Sequence, residues 1–252
     1  MTDPHTMAAE LLAAARNRTP IRPFTKRNPF LSTAVGYATQ ELVVGDQPVV
    51  GLKLGMTSKV KRDALGIREP VYGRITADML VPSGQPITVA ELIHPRAEPE
   101  LALVVGRPIP PGADVVTALT AIDAVYPAIE VADSRYAEPF RLVDSVADNA
   151  GAARVVLGAP APVAGLDLRL LGVLLSRNGS PIDSGAGAAA LGHPAACLAW
   201  LGNTLAGFGE GLRRGDVVLA GALTRMVPAR PGDRFSAEFA HLGAVSVRFG
   251  VR

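Results

Sequence analysis

Residues 94–105, His-Pro-Arg-Ala-Glu-Pro-Glu-Leu-Ala-Leu-Val-Val, place Glu98 and Glu100 two apart at the head of an apolar run. Side chains on an extended chain alternate with a period of two, so both carboxylates point to one side. The run that follows is too apolar for a solvated edge, so these charges enter a core. Two buried like charges are costly unless a cation compensates them. Glu130 lies in a second apolar run, Ala128-Ile129-Glu130-Val131-Ala132, with no basic residue before Arg135. Three converging carboxylates suit a hard divalent cation such as Mg²⁺, with positions left for water or substrate. Spacing alone leaves an equal alternative, in which Glu98 and Glu100 straddle a strand start and Glu130 pairs with an arginine.

The 252 residues suffice for a sizeable core. With 26 Gly and 21 Pro and no repeat period, the chain is expected to be folded and loop-rich. A formal net charge of +2, scattered basic residues and 5% aromatics argue against a nucleic-acid surface. The densest basic group, Lys59, Lys61 and Arg62, reads as the solvated face of a short helix. The single cysteine, Cys197, excludes an intramolecular disulfide framework or a cysteine zinc cluster and reads as an inert buried thiol. Met1-Thr2-Asp3-Pro4 lacks the basic start and apolar run of a secretory signal. The uncharged stretch 184–209 is broken by His193-Pro194 and Asn203 and too weakly apolar to span a membrane. A cytoplasmic protein without nucleic-acid or membrane partners is expected.

Helical signals dominate the first 47 residues: an Ala/Leu run over 8–15, then a helix capped by Ser32 or Thr33 and running to 42. From residue 48 to 252 the pattern is β-rich. Strands are expected over 49–55, 100–106, 128–132, 153–158, 168–177, 216–221, 235–240 and 244–249, with a hairpin turn at Asn178-Gly179. Ser58 is expected to cap a short helix towards 65, and two more helices over 114–124 and from Pro194 to about 205. Strands so rarely separated by a full helix argue against a doubly wound parallel sheet. The expectation is an α+β chain, a helical N-terminal part over 1–47 and a mixed β core over 48–252.

Other polar residues lie beside apolar runs. Lys53 is a lone ammonium in Val49–Gly55, either a snorkelling edge residue or a cation facing a cavity or anion. Asp78 and Asp148 read as caps or turn residues as readily as catalytic groups. Gly185-Ala186-Gly187 lacks nucleotide-binding spacing but could let backbone amides approach a carboxylate. His193, at a helix entry, reads as structural.

In order along the chain stand Gly51-Leu52-Lys53-Leu54-Gly55-Met56-Thr57-Ser58, Val71-Tyr72-Gly73, His94-Pro95-Arg96-Ala97-Glu98-Pro99-Glu100 and Ile129-Glu130-Val131-Ala132-Asp133-Ser134-Arg135-Tyr136. They are followed by Val146-Ala147-Asp148-Asn149-Ala150, Gly185-Ala186-Gly187-Ala188, Leu191-Gly192-His193-Pro194 and Pro231-Gly232-Asp233. This collinear set resembles the 4-oxalocrotonate decarboxylase and 2-keto-4-pentenoate hydratase branch of the fumarylacetoacetate hydrolase superfamily. The resemblance implies a mixed β-roll with a small helical N-terminal part. It also implies Mg²⁺ or Mn²⁺ on Glu98, Glu100 and Glu130, with Lys53 and Asp78 as catalytic residues. Arg74 and Arg135 are the expected partners of a distal substrate carboxylate, and Asp148, Gly187 and Thr224 complete the expected substrate contacts. The implied partners are a small dicarboxylate or dienoate substrate, further copies of the chain, and the companion hydratase or decarboxylase. The wording of several motifs favours the decarboxylase, with the hydratase as alternative. Pro99 departs from the usual pattern and is expected to start the strand or force a bulge, since it lacks an amide donor.

Overall fold

The computed structural model describes residues 3–250. Helix α1 (Pro4–Asn17) begins where Asp3 accepts the Thr6 amide, with proline at its first turn. Ser32 caps α2 (Thr33–Val44) and Ser58 caps α3 (Lys59–Leu65), which ends at Gly66 in the left-handed region. Later helices are α4 (Val115–Thr120), α5 (Leu142–Ala147) and α6 (Pro194–Ala206), the last capped by the imidazole of His193. No helix among the described residues is long and apolar enough to cross a membrane.

The strands are β1 (Val49–Gly55), β2 (Val71–Thr76), β3 (Ile87–Thr88), β4 (Arg96–Val105), β5 (Ile122–Ala132), β6 (Ala152–Leu157) and β7 (Ala161–Pro162). After them come β8 (Gly172–Arg177), β9 (Ser180–Ala186), β10 (Val217–Leu219), β11 (Val227–Pro228), β12 (Arg234–Phe239) and β13 (Gly243–Gly250). The larger sheet has the order β2-β1-β10-β4-β5-β6, with β11 on β4 and β7 on β5. The smaller runs β3-β13-β12-β8-β9. Among the strands of the described residues only β1–β10 and β13–β3 pair in parallel, so the architecture is mixed α+β as expected. The larger sheet curls until Leu80, beyond β2, bridges to Val155 on β6.

Several boundaries differ from the sequence expectation, each for a local reason. The helix expected over 114–124 stops at Thr120, because the chain from Ile122 joins β5, which pairs along the whole of β4. The expected strand 168–177 begins only at Gly172, since Asp167 accepts the amides of Arg169 and Leu170 in a turn. The polar strand β9 escaped notice although it is the far arm of the expected Asn178-Gly179 hairpin. Pro99 neither starts nor bulges its strand. It lies mid-β4 opposite Ile129, and its carbonyl accepts the Leu223 amide on the side away from β5. Nitrogen and carbonyl of one strand residue face the same way, so its missing donor falls in the gap between β10 and β11 and costs β5 nothing.

Alternation divides the larger sheet into two faces. One, with Leu101, Leu103, Val125, Ile129 and Val131, packs against the smaller sheet and α6 in the main core. The other carries a smaller apolar floor of Ile75, Ala102, Ala128, Val155 and Leu219. The N-terminal helices lean on the β5–β6 connection through Met7, Leu11, Phe24, Tyr136 and Ala147. Asp144, fully buried on α5, fastens that junction: it accepts the Thr25 amide (3.0 Å), the Thr25 hydroxyl and the Arg141 amide (3.0 Å).

Replacing this carboxylate strands three donors, one of them the backbone amide of a residue over a hundred positions away. Asp144→Ala is therefore expected to lower unfolding free energy by about 2–4 kcal/mol in urea titrations. A loss below about 1 kcal/mol would show that the junction does not depend on it.

Candidate active site

Glu130 stands directly across from Glu98 in the β4–β5 ladder, and Ala128 stands across from Glu100. Glu98, Glu100 and Glu130 therefore occupy adjoining positions on the face that carries the small apolar floor, with the alanine leaving room beside them. All three are buried, and they offer carboxylate oxygens that lie within 4.8 Å of one another. Lys53 on β1 aligns through Leu219 of β10 with Ala102 of β4, which puts it on the same face. Its buried ammonium sits 3.1 Å from Glu130 Oε1 and donates to the Ala150 carbonyl at 3.1 Å. The contact with Glu130 is an ion pair off the hydrogen-bonding direction.

β10 stops at Leu219, and two residues later Gly221 turns back with its amide donating to Glu100 Oε2 at 2.7 Å. Only glycine serves there: φ is +99° and a Cβ would meet the Thr57 side chain at 2.3 Å. The Ala150 carbonyl is aimed by consecutive left-handed residues, Asn149 and Ala150, both with φ of 51°. Asn149 holds this turn to β2, accepting the Arg74 amide and donating to its carbonyl.

The electrostatics follow from burial and crowding. Burial, then Glu130, pushes the Glu98 carboxyl up to about 7, against Lys53, Lys61 and Arg96. Burial, then Glu130 and Glu98, pushes Glu100 well above the carboxylate range. For Lys53 burial opposes the charge, but Glu130, Glu98 and Glu100 outweigh it and raise its pKa, so it remains an ammonium. Glu100 Oε1 and both Glu130 oxygens are buried without hydrogen-bond donors. An all-carboxylate set with unsatisfied buried oxygens fits a hard divalent cation. Cys197, whose thiol faces the Ala220 carbonyl at 3.0 Å, has its pKa raised by burial and by Glu100, as an inert thiol would.

The structure thus brings Lys53 together with Glu98, Glu100 and Glu130. Thr224 lies three residues beyond Gly221, next to Gly185 of β9, its hydroxyl donating to the Arg225 carbonyl. The remaining expected residues are placed otherwise. Arg74 pairs with Leu52 in the ladder, so it points from the opposite face to Lys53, where it grips Glu210 through both guanidinium nitrogens. Arg135 donates to the buried Asp148 carboxylate through its side chain and its own amide, and to the Asp148 carbonyl. That pair braces the corner presenting Ala150 to Lys53, which is a positioning task. Asp78 is exposed beyond the far end of β2, accepts the Thr76 hydroxyl, and lines a separate surface cavity of about 300 Å³ with Glu91 and Arg154. The Gly187 amide is already given to the Leu171 carbonyl, and a Cβ there would lie 1.7 Å from the Leu168 carbonyl. This glycine allows backbone packing and presents no open amide. The groups that sequence reasoning missed are backbone ones, the Gly221 amide and the Ala150 carbonyl, for which residue type gives almost no signal.

Residues 53–249 match the fumarylacetoacetate hydrolase C-terminal family. The chain is 43% identical to the 4-oxalocrotonate decarboxylase of Pseudomonas sp. (strain CF600) over 80% of its own length and 77% of that protein's. It is 38% identical to the 2-keto-4-pentenoate hydratase of Paraburkholderia xenovorans (strain LB400), covering 96% of this chain and 93% of the relative. The solved 4-oxalocrotonate decarboxylase from Pseudomonas putida G7, complexed with magnesium and adipate, superposes with a TM-score of 0.94 at 36% identity, covering 98% and 97% of the two chains. The fold, the match across 53–249 and relatives aligned over most of their length agree: the chain belongs to the fumarylacetoacetate hydrolase family.

Proposed function

We propose that this chain is a lyase that decarboxylates 2-oxo-3-hexenedioate (4-oxalocrotonate) to 2-hydroxypenta-2,4-dienoate and CO₂ in the meta-cleavage degradation of aromatic compounds. The supporting relatives are the decarboxylases at 43% and 36% identity. The observation that carries the choice of chemistry is the fate of the other buried carboxylates. Among the described residues, Asp133 takes the Ile93 and His94 amides and Asp144 is bound to Thr25 and Arg141. Asp148 holds Arg135, and Asp233 holds Arg177 and Asn178. None of these four is free beside Lys53 to serve as a carboxylate base towards water. Decarboxylation needs only an electron sink.

Glu98, Glu100 and Glu130 are the residues that would hold Mg²⁺ or Mn²⁺. When bound, the ion supplies Lewis-acid stabilisation of negative charge developing on the 2-oxo oxygen. In the bond changes, C5–C6 breaks as CO₂ leaves, its electron pair forms C4=C5, and the former C3=C4 pair shifts to C2=C3. The ketone becomes an enolate oxygen that then takes a proton. Lys53 has three donors; one goes to the Ala150 carbonyl while the ammonium is ion-paired with Glu130, and a remaining donor serves the substrate's carboxylate or enolate oxygen. Arg135 and Asp148 act at one remove, by fixing the Ala150 carbonyl. Hydratase is the second reading, favoured by relatives of that name aligned over 96% of the chain. The decarboxylation product is the enol of the compound named in those hydratases, which supports reading the protein as working with such a hydratase; a cytoplasmic setting and association with further copies come with the family resemblance alone.

Lys53→Met keeps the apolar stem and removes the charge. It is expected to lower kcat by about 10²–10³-fold, while Mg²⁺ binding persists or tightens because a competing cation is gone. Near-normal kcat would make Lys53 merely a structural counter-ion. The two chemistries are separated by kcat/KM on both substrates, following CO₂ release from 2-oxo-3-hexenedioate and loss of dienol absorbance from 2-hydroxypenta-2,4-dienoate. Decarboxylation is expected to be the faster; water addition faster by about tenfold, or ~1.4 kcal/mol, would establish the hydratase.

A further inference from the structure

The substrate proposed above carries two carboxylates, and the buried site meets only one end of it. With Arg74 facing the other side of the sheet and Arg135 committed to Asp148, the cation for the distal end must come from elsewhere. Arg96 is the first residue of β4, two before Glu98 and four before Glu100, so the three share one face. The chain rises ~6.6 Å over two residues, which sets Arg96 one step beyond the carboxylates towards solvent and about the length of a short extended dicarboxylate away. Arg96 is exposed, whereas Glu98 is buried, so the step leads outward towards solvent. Its ladder neighbours are Ala132 on β5 and Pro228 on β11, neither charged. Among the described residues it makes no ion pair and no side-chain hydrogen bond, unlike Arg62, Arg74, Arg135, Arg154, Arg177 and Arg225.

We propose that Arg96 is a specificity-determining residue that receives the distal carboxylate of a linear dicarboxylate through paired N–H···O bonds. The proposal rests on the dicarboxylate reading of the substrate. The charge balance supports it: the three carboxylates are offset by Lys53 and a divalent cation, so a dianion brings a charge that the buried site does not meet. A guanidinium fork on a paired strand meets it with a fixed geometry. Lys61 on α3 is a second cation without an ion pair among the described residues. Lys61 is the rival, but α3 buries none of its residues and so fixes that ammonium less firmly. The other α3 cations are engaged, Lys59 with Asp63 and Arg62 with the Met56 and Thr57 carbonyls.

The test is calorimetric binding of adipate and of pentanoate to the Mg²⁺-loaded full-length protein, its Arg96→Gln variant and its Lys61→Met variant. The wild type is expected to prefer adipate, and Arg96→Gln to weaken adipate by about 10- to 100-fold with pentanoate and Mg²⁺ binding unchanged. Lys61→Met is expected to keep the preference. A preference that survives Arg96→Gln, or that only Lys61→Met abolishes, overturns the assignment. A wild type that binds the two acids alike overturns the dicarboxylate reading itself, and Arg96's role with it.

Discussion

Three carboxylates withdrawn from water onto adjoining rungs of two strands repel one another, and the site is organised around that repulsion. With ligand atoms no more than 4.8 Å apart, each like-charge pair is unfavourable by about 3 kcal/mol or more at an effective dielectric near 20. Lys53 supplies one compensating charge and the Gly221 amide one hydrogen bond, yet three of the six oxygens are fully buried without a donor. The chain holds this arrangement because β4 and β5 are paired along their full length and buried in the main core on their other face. The core sets where the carboxylates point, and their mutual repulsion makes the cluster a place for a divalent cation.

The rest of the larger sheet can be understood as support for that cluster. β10 is cut to three residues so that the Gly221 loop can enter beside β4, and Pro99 fits because its missing donor faces that gap. The Arg135–Asp148 pair lies outside the cluster but braces the left-handed turn whose Ala150 carbonyl holds Lys53. The N-terminal helices reach this corner too. Gln40 donates to the carbonyls of Tyr72 and Val146, tying α2 to β2 and to α5 just ahead of it.

Much of this was legible in the sequence wherever a residue type carries its own physics. Carboxylates inside apolar runs marked Glu98, Glu100 and Glu130, and serine and proline marked the helix starts at Ser58 and Pro194. Strand 49–55 was readable to the residue. Side chains whose roles depend on facing were not. Arg74 and Lys53 sit on neighbouring strands, and only the register shows that they point to opposite faces. Asp78 rested on motif resemblance and Gly187 on a glycine-rich run, and neither carries information on where an exposed acid or an already bonded amide ends up. Strand β9 is hidden because its polar residues make it look like a loop, and pairing with β8 decides otherwise.

If the buried trio is a cation site whose repulsion the ion relieves, the decisive experiment is a calorimetric titration of Mg²⁺ into the chelator-stripped protein, in buffers of different ionisation enthalpy, between pH 6 and 8. Because burial, and then Glu130, raises the Glu98 carboxyl to about 7 in the metal-free protein, binding should displace protons at pH 6. Affinity should then climb as pH rises through 7, with one ion per chain, and Glu130→Gln should weaken it. Absence of saturable binding, or binding that neither releases protons nor responds to Glu130→Gln, would contradict the account.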